Sequence, residues 1–299
     1  MKIAIGTAQL GLKYGITNPS FKMSKICFEK ILNLSLKKKI NLIDTAQSYG
    51  ESEKIIGDFL FKKKYKNKFN VITKISNLRK IKRQYLRGEI YKKIKESLNN
   101  LRIQKLYGVL LHDAKDLRSK KNEIIINTLL GLKKKRLIKK IGISCYNIRD
   151  IDYICSKYNV DIIQFPFNVF DQRLLDKKIL NNLKKKKIEI HIRSIFLQGL
   201  LLLSFNKISI KYLRNHTSMK KWYKFLEINR INSVDSCIGF IQKNNFYKNI
   251  IVGFNNFSHF QKTISCYENI KKKNLYLNYE KLKTSNMNFI NPSRWNNKR

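Results

Sequence analysis

Short apolar runs and longer amphipathic segments alternate along most of the chain. The apolar runs lie at 3–7, 40–45, 70–75, 107–112, 140–144, 161–166, 189–194 and 249–253, and are rich in Ile, Val and Leu. Parallel strands covered on both faces read this way, because neither side of the sheet meets water. Between them, apolar residues recur at helical spacing over 24–39, 51–62, 88–101, 121–136, 148–157, 176–187, 233–243 and 258–269. Ser24 stands where the first of these needs an N-cap, and Ile55, Ile56, Phe59 and Leu60 form the apolar stripe of the second. Repeated strand-then-helix units predict a parallel sheet of the α/β class. Eight units without a break in composition predict a closed (β/α)8 TIM barrel spanning residues 1–270 as one domain.

Two segments fall outside the alternation. Residues 197–219 are longer than a usual strand-to-helix connection and read as a loop over the barrel mouth. The segment 271–299 is basic, rich in Asn and weakly periodic, and reads as a C-terminal tail.

Composition narrows the class. At 299 residues with 43% hydrophobic and 28% charged, the chain suits one barrel with a large core and is too apolar for a disordered protein. It has no apolar run of about 18 residues, which argues against a membrane-spanning helix. The apolar stretch at 1–7 is too short for a signal peptide. Cys27, Cys145, Cys155, Cys237 and Cys266 are dispersed without CxxC spacing. They read as reduced thiols in a cytoplasmic protein, with neither a disulfide framework nor a metal site.

The formal charge of +43 raises the question of nucleic acid. Lysine runs at 37–39, 62–64, 133–135, 184–187 and 271–273 mostly close helical segments, where a cation complements the helix dipole. No aromatic interleaving accompanies them. Joint enrichment in Lys, Asn and Ile is also what an A+T-rich genome produces. The reading is therefore of solvated helix ends without a specific nucleic-acid partner, in a field that favours phosphorylated or acidic small molecules.

Candidate chemistry sits at strand ends. Asp44, Lys74 and His112 close the second, third and fourth apolar runs, and Tyr49 follows Asp44 by five positions. Parallel β/α units bring such ends to one face. Singly, each has a plain explanation: a cap residue, a packed tyrosine, one lysine among many, a strand-end histidine. Together they can move a proton to a carbonyl oxygen. A phenol near pKa 10 donates better when an ammonium stabilises its phenolate, and a carboxylate can hold that ammonium in place. An imidazole can orient the carbonyl.

The stretch Asp44-Thr45-Ala46-Gln47-Ser48-Tyr49-Gly50-Glu51-Ser52-Glu53, with Gly57, Lys74 and His112, resembles the aldo-keto reductase family. The resemblance covers about residues 1–270 and implies reduction of an aldehyde or ketone with a nicotinamide cofactor, NADP(H) or alternatively NAD(H). It makes Tyr49 the general acid, with Lys74, Asp44 and His112 as its partners. Gly6 and Thr7 resemble the first-strand cofactor motif. Ser144 and Gln164 take the places that hold the nicotinamide carboxamide, although Cys145 replaces the family's usual Asn. Arg193 and Ser194 stand where a stacking Tyr and a Ser are common. Gly253, Asn255 and His259 match the segment that holds the adenosine end, with Phe254 and Asn255 in place of the usual cation. In the family a C-terminal segment covers the substrate, which gives the tail a role. The stretch Ser194-Ile195-Phe196-Leu197-Gln198-Gly199-Leu200-Leu201 is similar to reductases of bacterial surface-sugar pathways, which suggests a sugar or nucleotide-sugar substrate. Two alternatives stay open: a cofactor-binding regulatory barrel without turnover, and a basic nucleic-acid-binding protein.

Overall fold

The structure is a computed structural model that describes residues 1–16, 21–270 and 277–295. Eight strands, β1 (Ile3–Gly6), β2 (Leu42–Asp44), β3 (Asn70–Ile75), β4 (Leu106–Leu111), β5 (Ile138–Ser144), β6 (Ile162–Pro166), β7 (Glu189–Arg193) and β8 (Asn249–Gly253), close in chain order into a parallel barrel. β8 returns to β1 with Ile3 opposite Ile250 and Gly6 opposite Gly253. The barrel is the one the alternation predicts, with strand ends shifted by a residue or two.

The helices are α1 (Ala8–Gly11), α2 (Lys25–Lys37), α3 (Ser52–Leu60), α4 (Leu86–Leu101), α5 (Asn122–Lys134), α6 (Ile148–Lys157) and α7 (Lys177–Lys185). After them come α8 (Lys211–Asn215), α9 (Thr217–Ile228), α10 (Ser233–Lys243), α11 (Phe257–Asn269) and α12 (Met287–Ile290). Several begin as the sequence specifies: Ser24, Asn147, Asp176, Asn232 and Asn256 each accept a hydrogen bond from a first-turn backbone N–H. Strand ends and helix starts form the mouth of the barrel. Helix ends and strand starts form its base.

Two cores follow from strand alternation. Ala4, Leu42, Ile72, Leu110, Ile162 and Ile251 fill the barrel interior, while the opposite strand faces pack against the helices. At the base, the interior ends in a polar network. Lys140 pairs with Glu189 at 2.6 Å and donates to the Tyr107 hydroxyl at 2.9 Å. His191 Nε2 lies 3.4 Å from the Glu189 carboxylate and 3.0 Å from the Asn249 amide.

Residues 197–219 are more ordered than a loop. They hold two 3-10 turns (Leu197–Leu202 and Phe205–Lys207), all of α8 and the start of α9. Helix α9 escapes the one-strand-one-helix reading because no strand separates it from α10, yet Met219 and Trp222 bury fully against the core. The described part of the tail is likewise packed. Tyr279 donates to the Ser236 carbonyl at 2.9 Å, and Phe289 stacks on His216 at 4.0 Å and meets Phe170 at 5.2 Å. Its aromatic residues, rather than any periodicity, tie it to α9, α10 and the loop after β6. The remaining tail positions, 271–276 and 296–299, lie outside the described residues. Among the described residues no helix is long and apolar enough to cross a membrane.

Candidate active site

Residues two positions beyond the inner apolar layer point into the mouth, since a strand repeats its facing every second residue. Leu42, Ile72, Leu110 and Ile162 therefore lead to Asp44, Lys74, His112 and Gln164, and Ala4 and Ile251 to Gly6 and Gly253. The Lys74 ammonium forms a short contact to the Asp44 carboxylate and donates to the Thr45 carbonyl at 3.0 Å. The other Asp44 oxygen accepts from the Gln164 amide at 2.8 Å. One carboxylate thus ties β2, β3 and β6 together across the mouth.

Tyr49 reaches this layer from the β2–α3 loop, and the motif around it has structural work of its own. Ser52 donates to Thr7 Oγ1 at 3.0 Å, and Thr7 in turn donates to the Asp44 carbonyl at 3.0 Å. Thr73 donates to the buried Glu53 at 2.6 Å. A Cβ on Gly11 would fall 1.6 Å from the Tyr49 carbonyl oxygen, so only glycine lets α1 pass this close to the Tyr49 backbone. Lys74 Nζ lies 5.2 Å from the Tyr49 ring centre, and the His112 ring meets Tyr49 edge-on at 5.9 Å. His112 Nδ1 is 3.2 Å from the Ser48 hydroxyl. The four residues predicted from strand ends are brought together.

Their titration reflects burial first. Desolvation pushes the Tyr49 phenol up, the Asp44 charge adds to this, and Arg193 pulls it down. Burial lowers the Lys74 ammonium against the opposing pull of Asp44. Burial, then the Lys74 and Arg193 charges, bring His112 down to about 4. At neutral pH the cluster holds a protonated phenol and a neutral imidazole beside the Lys74–Asp44 contact.

Arg193 ends β7 and stacks its guanidinium on Tyr146 at 4.1 Å, with long contacts of 3.4 Å to the Cys145 carbonyl and the Ser194 hydroxyl. Tyr146 and Tyr14 are site residues that sequence reasoning missed. Tyr14 accepts from Gln198 at 3.1 Å, which links the first and seventh strand loops across the mouth. Burial, followed by Tyr146 and Tyr49, pushes the Tyr14 phenol up to about 12. Both tyrosines lie in loops, where no periodicity marks them; for Tyr146 the one signal was its place just beyond Ser144.

Of the residues expected on the adenosine side, Gly253 ends β8, Asn255 precedes α11 and His259 lies in its first turn. Phe254 is buried against Phe260 at 4.9 Å, while His259 is exposed and donates its backbone N–H to Asn256 at 2.9 Å. Across from them, a Cβ on Gly253 would lie 2.4 Å from Gln9 Oε1, and that oxygen is buried without a partner. Among the described residues that amide oxygen is free to accept from an N–H or O–H of a polar cofactor, and the nearby N-terminus of α11 offers backbone N–H groups to a phosphate.

Residues 2–276 match the family model described as Aldo/keto reductase family. The chain belongs to the aldo/keto reductase family. It is an oxidoreductase, and the family works with nicotinamide cofactors on carbonyl compounds. Among solved structures, the glycerol dehydrogenase from Gluconobacter oxydans is similar with a TM-score of 0.68 and 18% identity, covering 97% of this chain and 92% of that one. An aldo-keto reductase from Bacillus halodurans is similar with a TM-score of 0.66 and 16% identity, covering 94% of each. At such identity the likeness concerns the fold. No curated protein matches the chain.

Proposed function

We propose that this reductase converts an aldehyde or ketone, of the sugar or nucleotide-sugar class, to an alcohol with Tyr49 as general acid. The convergence of the half-buried Tyr49 and His112 with the buried Lys74–Asp44 pair on one layer of the mouth carries this reading. A bound nicotinamide cofactor supplies the hydride. Tyr49 delivers its proton to the carbonyl oxygen as negative charge develops there, and the neutral His112 orients that oxygen. Lys74, held by Asp44 and the Thr45 carbonyl, stabilises the phenolate that remains. Gly6, Thr7, Ser144 and Gln164 would hold the nicotinamide end, with Arg193 and Ser194 at its side. Gly253, Asn255 and His259 would hold the adenosine end. The barrel at 1–270 is the catalytic unit, and the packed tail segment braces the loop after β6 from outside.

A panel of aldehydes, ketones and phosphorylated or nucleotide-linked sugars, followed by loss of NADPH absorbance, tests the reading. Turnover of at least one class is expected. Tight NADPH binding with no turnover across the panel would favour the regulatory barrel. For cofactor choice, the positive field favours NADPH by a modest margin despite the missing cation after Gly253. Titration of both cofactors at matched ionic strength decides it, and tighter NADH binding refutes that preference.

A further inference from the structure

Lysine runs that are scattered in sequence converge in space. Every barrel helix runs from mouth to base, so the runs at 37–39, 62–64, 133–135 and 184–187 all gather toward one end. Contacts between neighbouring units confirm the level. Lys38 bonds Glu268 in the last turn of α11 at 2.8 Å, and Arg102 at the end of α4 reaches Asp58 at 3.1 Å and the Phe61 ring at 5.2 Å. Acidic residues are distributed differently. Glu53, Glu89, Glu123, Asp150 and Asp235 occupy first turns of helices, at the mouth end. At the base, Asp58, Asp161, Glu189 and Glu268 are each already paired with a cation. The fold therefore separates a mixed mouth from a strongly basic base.

Dipole complementation accounts for a cation or two in a helix's last turn. It does not account for four successive lysines, and Lys184, Lys185, Lys186 and Lys187 are all exposed. We propose that the base is a docking face for an anionic membrane surface. The charges surround the barrel axis, so a plane can meet them together, whereas a nucleic-acid duplex would cross only one chord of the ring. Phe61, 67% exposed beside the run at 62–64, adds an apolar group at the same rim, as interfacial membrane binding uses. The mouth then faces solution, and substrate access is unchanged.

Sedimentation with phosphatidylcholine vesicles, with and without phosphatidylserine, tests this on the full-length protein. Binding should require phosphatidylserine and weaken as salt rises. The variant Lys184→Glu/Lys187→Glu should weaken it by at least about ten-fold. Lys177→Glu/Lys178→Glu, the same charge change at the opposite end of α7, should leave it nearly intact, and both variants should keep wild-type melting behaviour. Equal weakening in the two variants would mean diffuse charge and overturn the proposal. So would absence of sedimentation at physiological salt. Displacement from vesicles by duplex DNA at matched phosphate concentration would reassign the face to nucleic acid. Phe61→Ala should reduce the binding that persists at high salt; no change would remove the apolar part of the proposal.

Discussion

Among the described residues, two lysine–carboxylate pairs line the barrel interior, one at each end, and they behave oppositely. At the mouth, Lys74 and Asp44 are 1% and 3% exposed; at the base, Lys140 and Glu189 are 20% and 18% exposed. Burial dominates at the mouth and lowers the Lys74 ammonium. At the base burial also opposes charge, but hydrogen bonds outweigh it: those Lys140 donates to Glu189 and Tyr107 raise Lys140, and those Glu189 accepts from His191 and Lys140 bring it down to about 2. The base pair is fixed as charged at any ordinary pH and ties β5 to β7. At the mouth, burial works against the Lys74 charge, beside a phenol and an imidazole that are also shifted. Identical chemistry is structural in one place and poised in the other because solvent reaches one and not the other.

The sharpest way to break this comparison is to remove the acid at the mouth. Tyr49→Phe keeps ring volume, so melting and NADPH affinity should survive while carbonyl reduction falls by about 10²–10⁴-fold. Lys74→Met should lose a comparable factor, and the double variant should lose little more, because the two act as one unit. Steady-state rates on the best panel substrate measure all three. Near-normal turnover by Tyr49→Phe would end the assignment of the mouth as a proton-transfer site.

How much of this contrast could be seen beforehand depends on where each residue lies. Asp44, Lys74 and His112 were legible because each interrupts or closes an apolar run, and strand alternation then fixes their common direction. Tyr14 and Tyr146 were not, since loop positions carry no period. The base network does leave a signal in the sequence. Glu189-Ile190-His191-Ile192-Arg193 alternates polar with apolar residues, which a strand apolar on both faces does not do. Lysine runs looked scattered because the closure that collects them at one end is a property of topology. Helix α9 and the aromatic anchors of the tail were hidden for a related reason: their partners are distant in sequence.

A smaller effect concerns pH. The folded His112 titrates at about 4, below its ordinary 6.5, so the unfolded chain binds more protons between those values. Its contribution to stability is present above pH 6.5 and is lost as pH falls toward 4, amounting to at most about 3 kcal/mol. Reduction by the wild type should accordingly show no loss near pH 6.5 attributable to this imidazole. Denaturant melts at stepped pH, compared with His112→Gln, check the sign: the variant should be less acid-sensitive in that window. An unchanged acid slope would place the His112 titration at its ordinary value and weaken the picture of a desolvated mouth.

The smallest effect on catalysis is expected from the base. Glu189→Gln leaves a neutral group in reach of Lys140, Tyr107 and His191 but removes the charge that stabilises Lys140. Stability should drop by about 1–3 kcal/mol, read from urea melts at pH 7. Because the folded Glu189 titrates at about 2, its contribution is present above the ordinary carboxylate range and fades as pH falls through about 2. The gap between wild type and variant should therefore narrow in strong acid. Turnover at the mouth should remain close to wild type, since the apolar layer of Leu42, Ile72, Leu110 and Ile162 separates the two polar clusters. A large drop in turnover at unchanged melting would show that the two ends communicate through the barrel interior, and the division into a structural base and a reactive mouth would have to be abandoned.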